Sequence, residues 1–187
     1  MIYPQKINAH KSNIIIRSLL IASILLGIIL VVINKLTTPN IHWAAMCNAG
    51  IIYTWVTVIY SINKNINIAG HVLLQTIAIS ILTTYIDYVT GFKAWSLNLA
   101  IPILLTIANA TMLILTIVSY KKYIRYAIYQ LLIVILSMLP TFFIYENLTN
   151  NKVLCYVATG ISVLNLLITL MLSAKDVKEA IIRKFHL

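Results

Sequence analysis

Charged side chains are scarce in this sequence of 187 residues: only 10% are charged, and just four of these are Asp or Glu. An ordinary soluble domain carries about a quarter charged residues, with which it covers its surface. Hydrophobic residues make up 61% of the chain, and the mean hydropathy is +0.94. We therefore exclude a water-soluble globular protein and expect the chain to lie in a lipid bilayer.

Residue types that carry chemistry are also sparse, with two cysteines and four histidines in the chain. Cys47 and Cys155 are too few for a disulfide scaffold, and the sequence leaves open whether they pair. The sequence contains no P-loop, no nucleophile elbow of the type Gly-x-Ser-x-Gly and no His-Glu-x-x-His metal motif. We therefore expect no metal, no other cofactor and no enzymatic activity.

Six long apolar runs alternate with short segments of charged residues, asparagines and turn residues. Each run is close to the length of about 20 residues that crosses the hydrocarbon core as a helix. The sequence thus predicts an all-α polytopic membrane protein, a bundle of six transmembrane helices that forms a single domain over residues 1–187. The predicted spans are residues 14–33, 42–60, 68–88, 95–120, 124–145 and 153–173.

The distribution of positive charge predicts the orientation of these spans. Eleven of the fourteen Lys and Arg residues fall in segments that are cytoplasmic if the N-terminus lies inside the cell. Positive residues prefer cytoplasmic loops, so we predict a multi-pass protein of the cell membrane with both termini in the cytoplasm. The net charge of +10 then suits the anionic inner leaflet as partner, and nucleic acid is not expected because the loops are too short to bind it.

The cytoplasmic tail, residues 174–187, has the pattern of a short amphipathic helix that lies on the inner leaflet. Its basic residues are candidates for contact with the membrane surface: Lys175, Lys178, Arg183 and Lys184. A simple stop-transfer anchor explains the same residues equally well.

A polar stripe runs along the third predicted span and ends at its outer end. Its members are spaced four, three and four residues apart, which keeps them on one helical face. They are Thr76, Ser80, Thr83 and Asp87. An ionisable residue such as Asp87 at membrane depth is a candidate functional residue because its desolvation is costly.

The fourth predicted span adds a second polar face. Trp95 opens this span, and Asn98 and Asn109 share one side of the helix. Pro102 lies between the asparagines and lacks a backbone donor, which loosens the helix near Asn98. Together with the stripe, these residues would line an outward-facing pocket for a small polar solute or ion. Hydrogen bonding between helices is the competing explanation, with Asp87 simply hydrated at the interface.

Close packing of helices is indicated in the first two spans. Ser23 and Gly27 are small residues at four-residue spacing, which is typical of a helix–helix contact. Asn48 in the second span is expected to form a hydrogen bond with a neighbouring helix, because an amide group within a span needs a partner.

The second to fourth spans and the segments between them contain six short motifs, namely Tyr53-Thr-Trp55, Asn67-Ile-Ala-Gly70, Gln75-Thr76, Asp87-Tyr-Val-Thr-Gly91, Trp95-Ser96-Leu-Asn98 and Ile101-Pro102. Together they resemble an uncharacterised bacterial family of six-helix membrane proteins, a domain of unknown function in Firmicutes. Its members often carry a zinc ribbon before the first span, which is absent here because no Cys-x-x-Cys pair precedes that span. The resemblance implies no activity, but it implies that Asp87, Gly91, Trp95, Asn98 and Pro102 form one extracytoplasmic feature.

Three functional hypotheses fit these observations. The first is a non-enzymatic module that binds or senses a small solute, or that accompanies another membrane protein or a second copy of itself. The second is the substrate-binding membrane subunit of a transporter of the energy-coupling-factor type, which is similar in length and number of spans. The third, an enzyme acting on lipid, needs apposed acidic or histidine groups that the sequence lacks.

Overall fold

The structure, a computed structural model, describes residues 9–63, 68–118 and 123–185, with side chains described for 14–62, 68–118 and 128–171. Within these ranges the regular structure is helical and no strand occurs. The helices are α1 (Ala9–Thr37), α2 (Trp43–Asn63), α3 (Ile68–Val89), a π-helical turn (Ser96–Ala100), α4 (Ile101–Val118), α5 (Tyr123–Leu136), α6 (Leu139–Tyr145) and α7 (Lys152–Phe185). The all-α fold class is therefore confirmed.

Six helical segments in the described part of the chain are long and apolar enough to cross a membrane. Their most apolar windows have mean hydropathies between 1.4 and 2.8. The segments are Ile14–Thr37, Trp43–Ile62, Ile68–Val89, Ser96–Val118, Ile128–Tyr145 and Lys152–Met171. They correspond one by one to the six spans predicted from the sequence.

The residues group into two compact units, Met1–Trp55 and Val56–Leu187. The first unit is a helical hairpin in which Asn34, near the end of α1, holds the turn. Its amide nitrogen donates to the carbonyls of Thr38 at 2.8 Å and Ile41 at 2.6 Å, and its Oδ1 accepts from the N–H of Ala44 at 3.2 Å. The buried amide of Asn34 thus bonds to two carbonyls of the loop between α1 and α2 and to one N–H in the first turn of α2.

Two further hydrogen bonds join the helices of this hairpin. The indole of Trp55 donates to Ser23 Oγ at 2.7 Å, and the amide of Asn48 donates to the Gly27 carbonyl at 3.3 Å. A Cβ atom at Gly27 would overlap with Oδ1 of Asn48, so the absence of a side chain permits the approach. Both the close packing at Ser23 and Gly27 and the bond from Asn48 to a neighbouring helix are confirmed.

In the second unit, α4 packs against α3, α5 and α7. Its buried residues recur every three or four positions and so cover one broad face. An apolar cluster of Ala69, Ala108, Met112 and Ile133 lies between α3, α4 and α5. A second cluster forms around Leu97, Ile101 and Leu105, with Leu136 and Phe143 packed against it.

The backbone before α4 is irregular where the sequence predicts a helix loosened by proline. The N–H of Ile101 donates to the carbonyl of Ser96, five residues earlier, and makes one turn of π-helix. Pro102 has no N–H to donate to the carbonyl of Asn98, which favours the wider turn at this point.

The fifth predicted span, 124–145, is not one helix. Helix α5 ends at Leu136 and α6 begins at Leu139, with Pro140 in its first turn. A proline at this position lacks the N–H that would bond to the Leu136 carbonyl, and its ring crowds the same carbonyl. The break places a turn at Ser137 and Met138, inside the fifth predicted span.

The tail also differs from its prediction, since it does not form a separate short helix. Residues 174–185 continue α7 without interruption. The sequence there contains Ala, Lys and Glu and no Gly or Pro, so nothing in it ends a helix. The side chains of the predicted surface residues lie outside the described ones: Lys175, Lys178, Arg183 and Lys184.

Candidate functional site

Asp87, the acidic residue of the predicted site, is fully buried at the C-terminal end of α3. Its Oδ2 accepts hydrogen bonds from the backbone N–H of Ser96 at 3.0 Å and from Ser96 Oγ at 2.7 Å. Its Oδ1 accepts from the N–H of Lys93 at 3.0 Å. Although Asp87 belongs to α3, its carboxylate faces the first N–H groups of the next helical segment, which begins at Ser96. A carboxylate in this place is favoured because it satisfies free N–H groups and faces the positive end of the helix dipole.

The loop that Asp87 holds has an unusual backbone. Gly91, Phe92 and Ala94 have positive φ angles of 97°, 46° and 57°. For the two residues with side chains this left-handed conformation costs on the order of 1 kcal/mol each or more. The N–H of Phe92 also donates to the backbone carbonyl of Asp87, at 2.8 Å. Asp87 therefore stabilises a strained loop through both its carboxylate and its main chain.

Asn98 anchors a different segment, the loop between α6 and α7. Its Oδ1 accepts from Thr149 Oγ1 at 2.6 Å and from the N–H groups of Asn150 at 2.7 Å and Asn151 at 3.3 Å. The π-helical turn is thus connected to α3 through Asp87 and to the α6–α7 loop through Asn98. Trp95 and Pro102, the other two predicted site residues near the π-helical turn, differ in exposure. Trp95 is 36% exposed and Pro102 is buried.

The hydroxyl groups of the predicted stripe bond within their own helix. Thr76 donates to the Val72 carbonyl at 2.8 Å, and Ser80 donates to the Thr76 carbonyl at 2.7 Å. Thr83 likewise donates to the Ile79 carbonyl at 2.9 Å. These hydrogen bonds turn the polar atoms toward the α3 backbone and leave the methyl and methylene groups on the outside of the helix.

Asn109 belongs to a network of buried amides between α4, α5 and α7. Its Nδ2 donates to the Leu105 carbonyl at 2.9 Å and to Ser137 Oγ at 2.6 Å. Its Oδ1 accepts from Asn165 Nδ2 at 3.1 Å. Hydrogen bonding between helices, the competing explanation for this residue, is therefore confirmed.

The network continues from Asn165 to Gln130. The Nε2 of Gln130 donates to Asn165 Oδ1 and to Thr169 Oγ1, and its Oε1 accepts from Thr116 Oγ1 at 2.9 Å. Asn109, Asn165, Gln130 and Thr116 are at most 1% exposed. Every side-chain nitrogen and oxygen of the three amides has a partner, so this uncharged network joins three helices without an unsatisfied group.

Sequence reasoning missed most of this network, although α7 carries a signal for it. Polar residues recur along α7 at spacings of four, three, three and four: Cys155, Thr159, Ser162, Asn165 and Thr169. This periodicity is the same kind that singled out the α3 stripe. Ser96 and Thr149, the partners of Asp87 and Asn98, had no comparable signal, because Ser96 begins the π-helical turn and Thr149 lies in the α6–α7 loop, where no helical periodicity marks a residue.

A cavity of about 190 Å³ lies between α3, α4, α5 and α6. It is lined by Thr76, Ile77, Ser80, Ile81, Ile101, Leu105, Leu136, Leu139 and Phe143. The hydroxyls of Thr76 and Ser80, the two polar residues on this wall, are engaged by α3 carbonyls, so the surface of the cavity is apolar. The break between α5 and α6 supplies the opposite wall through Leu136 and Leu139.

The structure therefore separates the predicted site residues into groups. Thr76 and Ser80 line the cavity, Asp87 caps the π-helical turn, and Asn98 and Asn109 bond to two different partners. The described residues contain no group of three or more His, Cys, Asp and Glu side chains that could hold a metal ion. Both cysteines are free thiols, Cys47 exposed and Cys155 buried. The arrangement is suited to holding an apolar group and offers no acid–base pair beside the cavity.

Comparison with protein families assigns the chain to one family. A family model described as "Family of unknown function (DUF6320)" matches residues 3–187. The chain belongs to this family of unknown function. That membership agrees with the resemblance to an uncharacterised family, whereas the bacterial origin and the zinc ribbon of relatives stay predictions. No curated protein and no solved structure matches this member of DUF6320.

Proposed function

We propose that this DUF6320 protein is a six-span integral membrane protein that binds a small hydrophobic ligand and does not transform it chemically. The apolar cavity between α3, α4, α5 and α6 is the observation that carries the proposal. The two parts of the proposal, insertion into the bilayer and binding without catalysis, rest on different features of the chain.

Insertion is supported by where the large apolar side chains lie. Ile81, Ile107 and Leu164 are 65%, 58% and 59% exposed. In water such a surface would cost about 25 cal/mol for each Å² of apolar area, whereas hydrocarbon solvates it without that cost. The fully bonded amide network inside the second unit fits the same environment, because an unpaired amide in hydrocarbon is costly.

Binding without catalysis is supported by how the polar groups are used. Asp87, the acid at the predicted site, accepts three hydrogen bonds from the chain itself and is 0% exposed. A general acid or base must reach the proton that it transfers. A small polar solute would also need donors or acceptors on the cavity surface, and the Thr76 and Ser80 hydroxyls point toward the α3 carbonyls to which they donate, which leaves that surface apolar. An apolar ligand has no such requirement.

The size of the cavity suits a small apolar molecule. An empty apolar cavity of about 150 Å³ in a protein interior stays dry and binds benzene. The present cavity is larger, at about 190 Å³, is open on one side and is lined mainly by Ile, Leu and Phe side chains. Benzene is therefore a suitable probe for a first binding experiment.

Fluorine NMR provides the test, since the chain has only four phenylalanines. Protein labelled with 4-fluorophenylalanine in nanodiscs is titrated with benzene, and resonances are assigned by Phe→Leu substitutions. Phe143 lines the cavity, whereas its neighbour Phe142 is 55% exposed and reports partition of benzene into the lipid. We expect the Phe143 resonance to shift saturably and the Phe142 resonance to change only in proportion to benzene concentration.

A substitution that fills the cavity completes the test. Ser80→Leu extends an apolar side chain into the space and should abolish the saturable shift of Phe143. Thr54→Leu is the matched control, because Thr54 is exposed and its hydroxyl bonds only to the Gly50 carbonyl of its own helix. Identical behaviour of Phe143 and Phe142 in the unsubstituted protein would contradict the proposed binding.

A further inference from the structure

The cavity has a sideways opening between α3 and α6. Ile77 and Ile81 on α3 are 39% and 65% exposed, and Leu139 on α6 is 44% exposed. The α4 residues that line the cavity, Ile101 and Leu105, are by contrast buried, at 7% and 3% exposed. A ligand therefore enters from the flank of the helices, through side chains that face hydrocarbon if the protein spans a bilayer.

The exposed face of α3 continues from this opening to the end of the helix. Ile77, Ile81, Tyr85 and Tyr88 are spaced four, four and three residues apart, so they form one row. The tyrosines are 41% and 73% exposed. At 1.5 Å per residue, Tyr88 lies roughly 10 Å along the axis beyond Ile81. An exposed tyrosine row at a helix end is typical of the level of lipid headgroups.

The exposed tyrosines and the apolar cavity follow the order of the polar headgroup and the hydrocarbon chain in a membrane lipid. We infer that the ligand is one hydrocarbon chain of an outer-leaflet lipid, whose headgroup lies beside Tyr85 and Tyr88 and whose chain bends between Ile81 and Leu139 into the cavity. This inference rests on the proposed function, since it needs both the bilayer and the binding cavity.

Depth supports this occupant. The cavity residues Ser80 and Ile81 lie six to seven positions before Asp87, so the opening is roughly 10 Å below the end of α3. A bilayer core is about 30 Å thick, which places the opening within the chain region of one leaflet. The apolar wall makes no hydrogen bond that would select a headgroup, so the tyrosine row is the part that contacts polar lipid atoms.

The test measures whether lipid chains reach the wall of the cavity. The protein labelled with 4-fluorophenylalanine is placed in nanodiscs that contain a phosphatidylcholine with a nitroxide near the end of one acyl chain. Paramagnetic broadening falls steeply with distance and is measured for Phe143 inside the cavity and for exposed Phe142. We expect the two residues to be broadened to within a factor of two of each other in the unsubstituted protein.

Two substitutions should separate chain entry from general contact with lipid. Ser80→Leu fills the cavity and Leu139→Trp narrows its opening without adding a fluorine label, and each should reduce the broadening of Phe143 at least fivefold without changing that of Phe142. Thr54→Leu should change neither. The second substitution keeps the test valid if Ser80→Leu prevents folding, which the positions of the other fluorine resonances report.

A separate set of variants tests whether Tyr85 and Tyr88 contact the lipid headgroup. Tyr85→Leu combined with Tyr88→Leu removes both phenol groups without adding a fluorine label and should lower the broadening of Phe143 two- to fivefold. Tyr156→Leu is the control, since Tyr156 on α7 is 59% exposed and does not line the cavity.

The outcomes distinguish the inference from the proposed function. If benzene shifts Phe143 but the spin-labelled chain leaves it sharp, the ligand is a free hydrophobic molecule and the inference of a lipid chain is wrong. If neither probe reaches Phe143, the proposed binding function is wrong as well. Equal broadening of Phe143 before and after Ser80→Leu would also overturn the inference, because the label would then act from outside the cavity.

Discussion

The carboxylate of Asp87 accepts hydrogen bonds from both the backbone N–H and the hydroxyl of Ser96, at 3.0 and 2.7 Å. These bonds join the end of α3 to the beginning of the π-helical turn across a loop with three positive φ angles. The only acidic residue within a predicted span thus has a clear structural use. The role of Asp87 as a site residue stays a prediction, and its bonds with Ser96 show how the chain satisfies a buried carboxylate.

Replacing Asp87 tests this capping role. Asp87→Asn places an amide group where three donors point at a carboxylate, and it removes a charge-assisted acceptor. We expect the free energy of unfolding in detergent micelles to fall by about 2 kcal/mol, the typical value for hydrogen bonds to a charged group. Glu146→Gln, at an exposed acid, should change it by less than about 0.5 kcal/mol. Equal stability of the two variants would show that the Asp87 contacts do not stabilise the loop.

The amide network predicts a second loss of stability. Asn165→Leu leaves Oδ1 of Asn109 and one donor of Gln130 without their partner. We expect a loss of about 1–2 kcal/mol, since an unpaired buried amide keeps its desolvation penalty. Thr111→Val is the control, because that hydroxyl bonds only to the Ile107 carbonyl of its own helix.

Coupling within the network gives a sharper result than either loss alone. If Asn109 and Asn165 act through each other, the double variant Asn109→Leu with Asn165→Leu should lose less stability than the two single losses added together. Strict additivity would mean that the two amides contribute independently.

Close packing in the first unit predicts opposite effects at two glycines. Gly27→Ala introduces a Cβ atom that overlaps with the amide of Asn48, so we expect destabilisation by about 1 kcal/mol or more. Gly50→Ala meets nothing within 4 Å and should stabilise α2 by about 0.5–1 kcal/mol, because alanine restricts the unfolded chain. Thermal unfolding compares the two variants.

A compensating substitution identifies the cause. Asn48→Ala combined with Gly27→Ala removes the overlapping amide and should recover most of the stability lost at Gly27. If the double variant stays as unstable as Gly27→Ala, the loss of stability has a cause other than overlap with Asn48.

The helices of this protein are predictable from sequence because each long apolar run, close to 20 residues, falls on one of the six long apolar helical segments. The irregular elements were harder to predict for a physical reason. Pro102 and Pro140 each remove one backbone hydrogen bond, but whether the helix widens into a π-turn or breaks into two depends on what packs beside it. Around Pro140 the helix breaks, and the resulting wall at Leu136 and Leu139 borders the cavity.

The candidate site was harder to predict than the helices. The polar residues of α3 and of α7 both recur at three- and four-residue spacings, yet Ser80 bonds to its own backbone whereas Asn165 bonds to Asn109 and Gln130. A hydroxyl can reach a carbonyl of its own helix four residues earlier, and a longer amide group reaches the next helix. Side-chain length, in addition to periodicity, thus separates the stripe that is satisfied locally from the one that joins helices.

Cysteine accessibility in intact cells tests the central claim, that six helices cross the membrane and leave both termini inside. In a background with Cys47 and Cys155 replaced by serine, Lys152→Cys lies at the start of α7, and Lys121→Cys lies in the predicted cytoplasmic segment between the fourth and fifth spans. We expect a membrane-impermeant maleimide to label Lys152→Cys in intact cells and Lys121→Cys only after permeabilisation. Labelling of Lys121→Cys in intact cells would contradict the proposed topology and, with it, the assignment of the cavity to the outer leaflet.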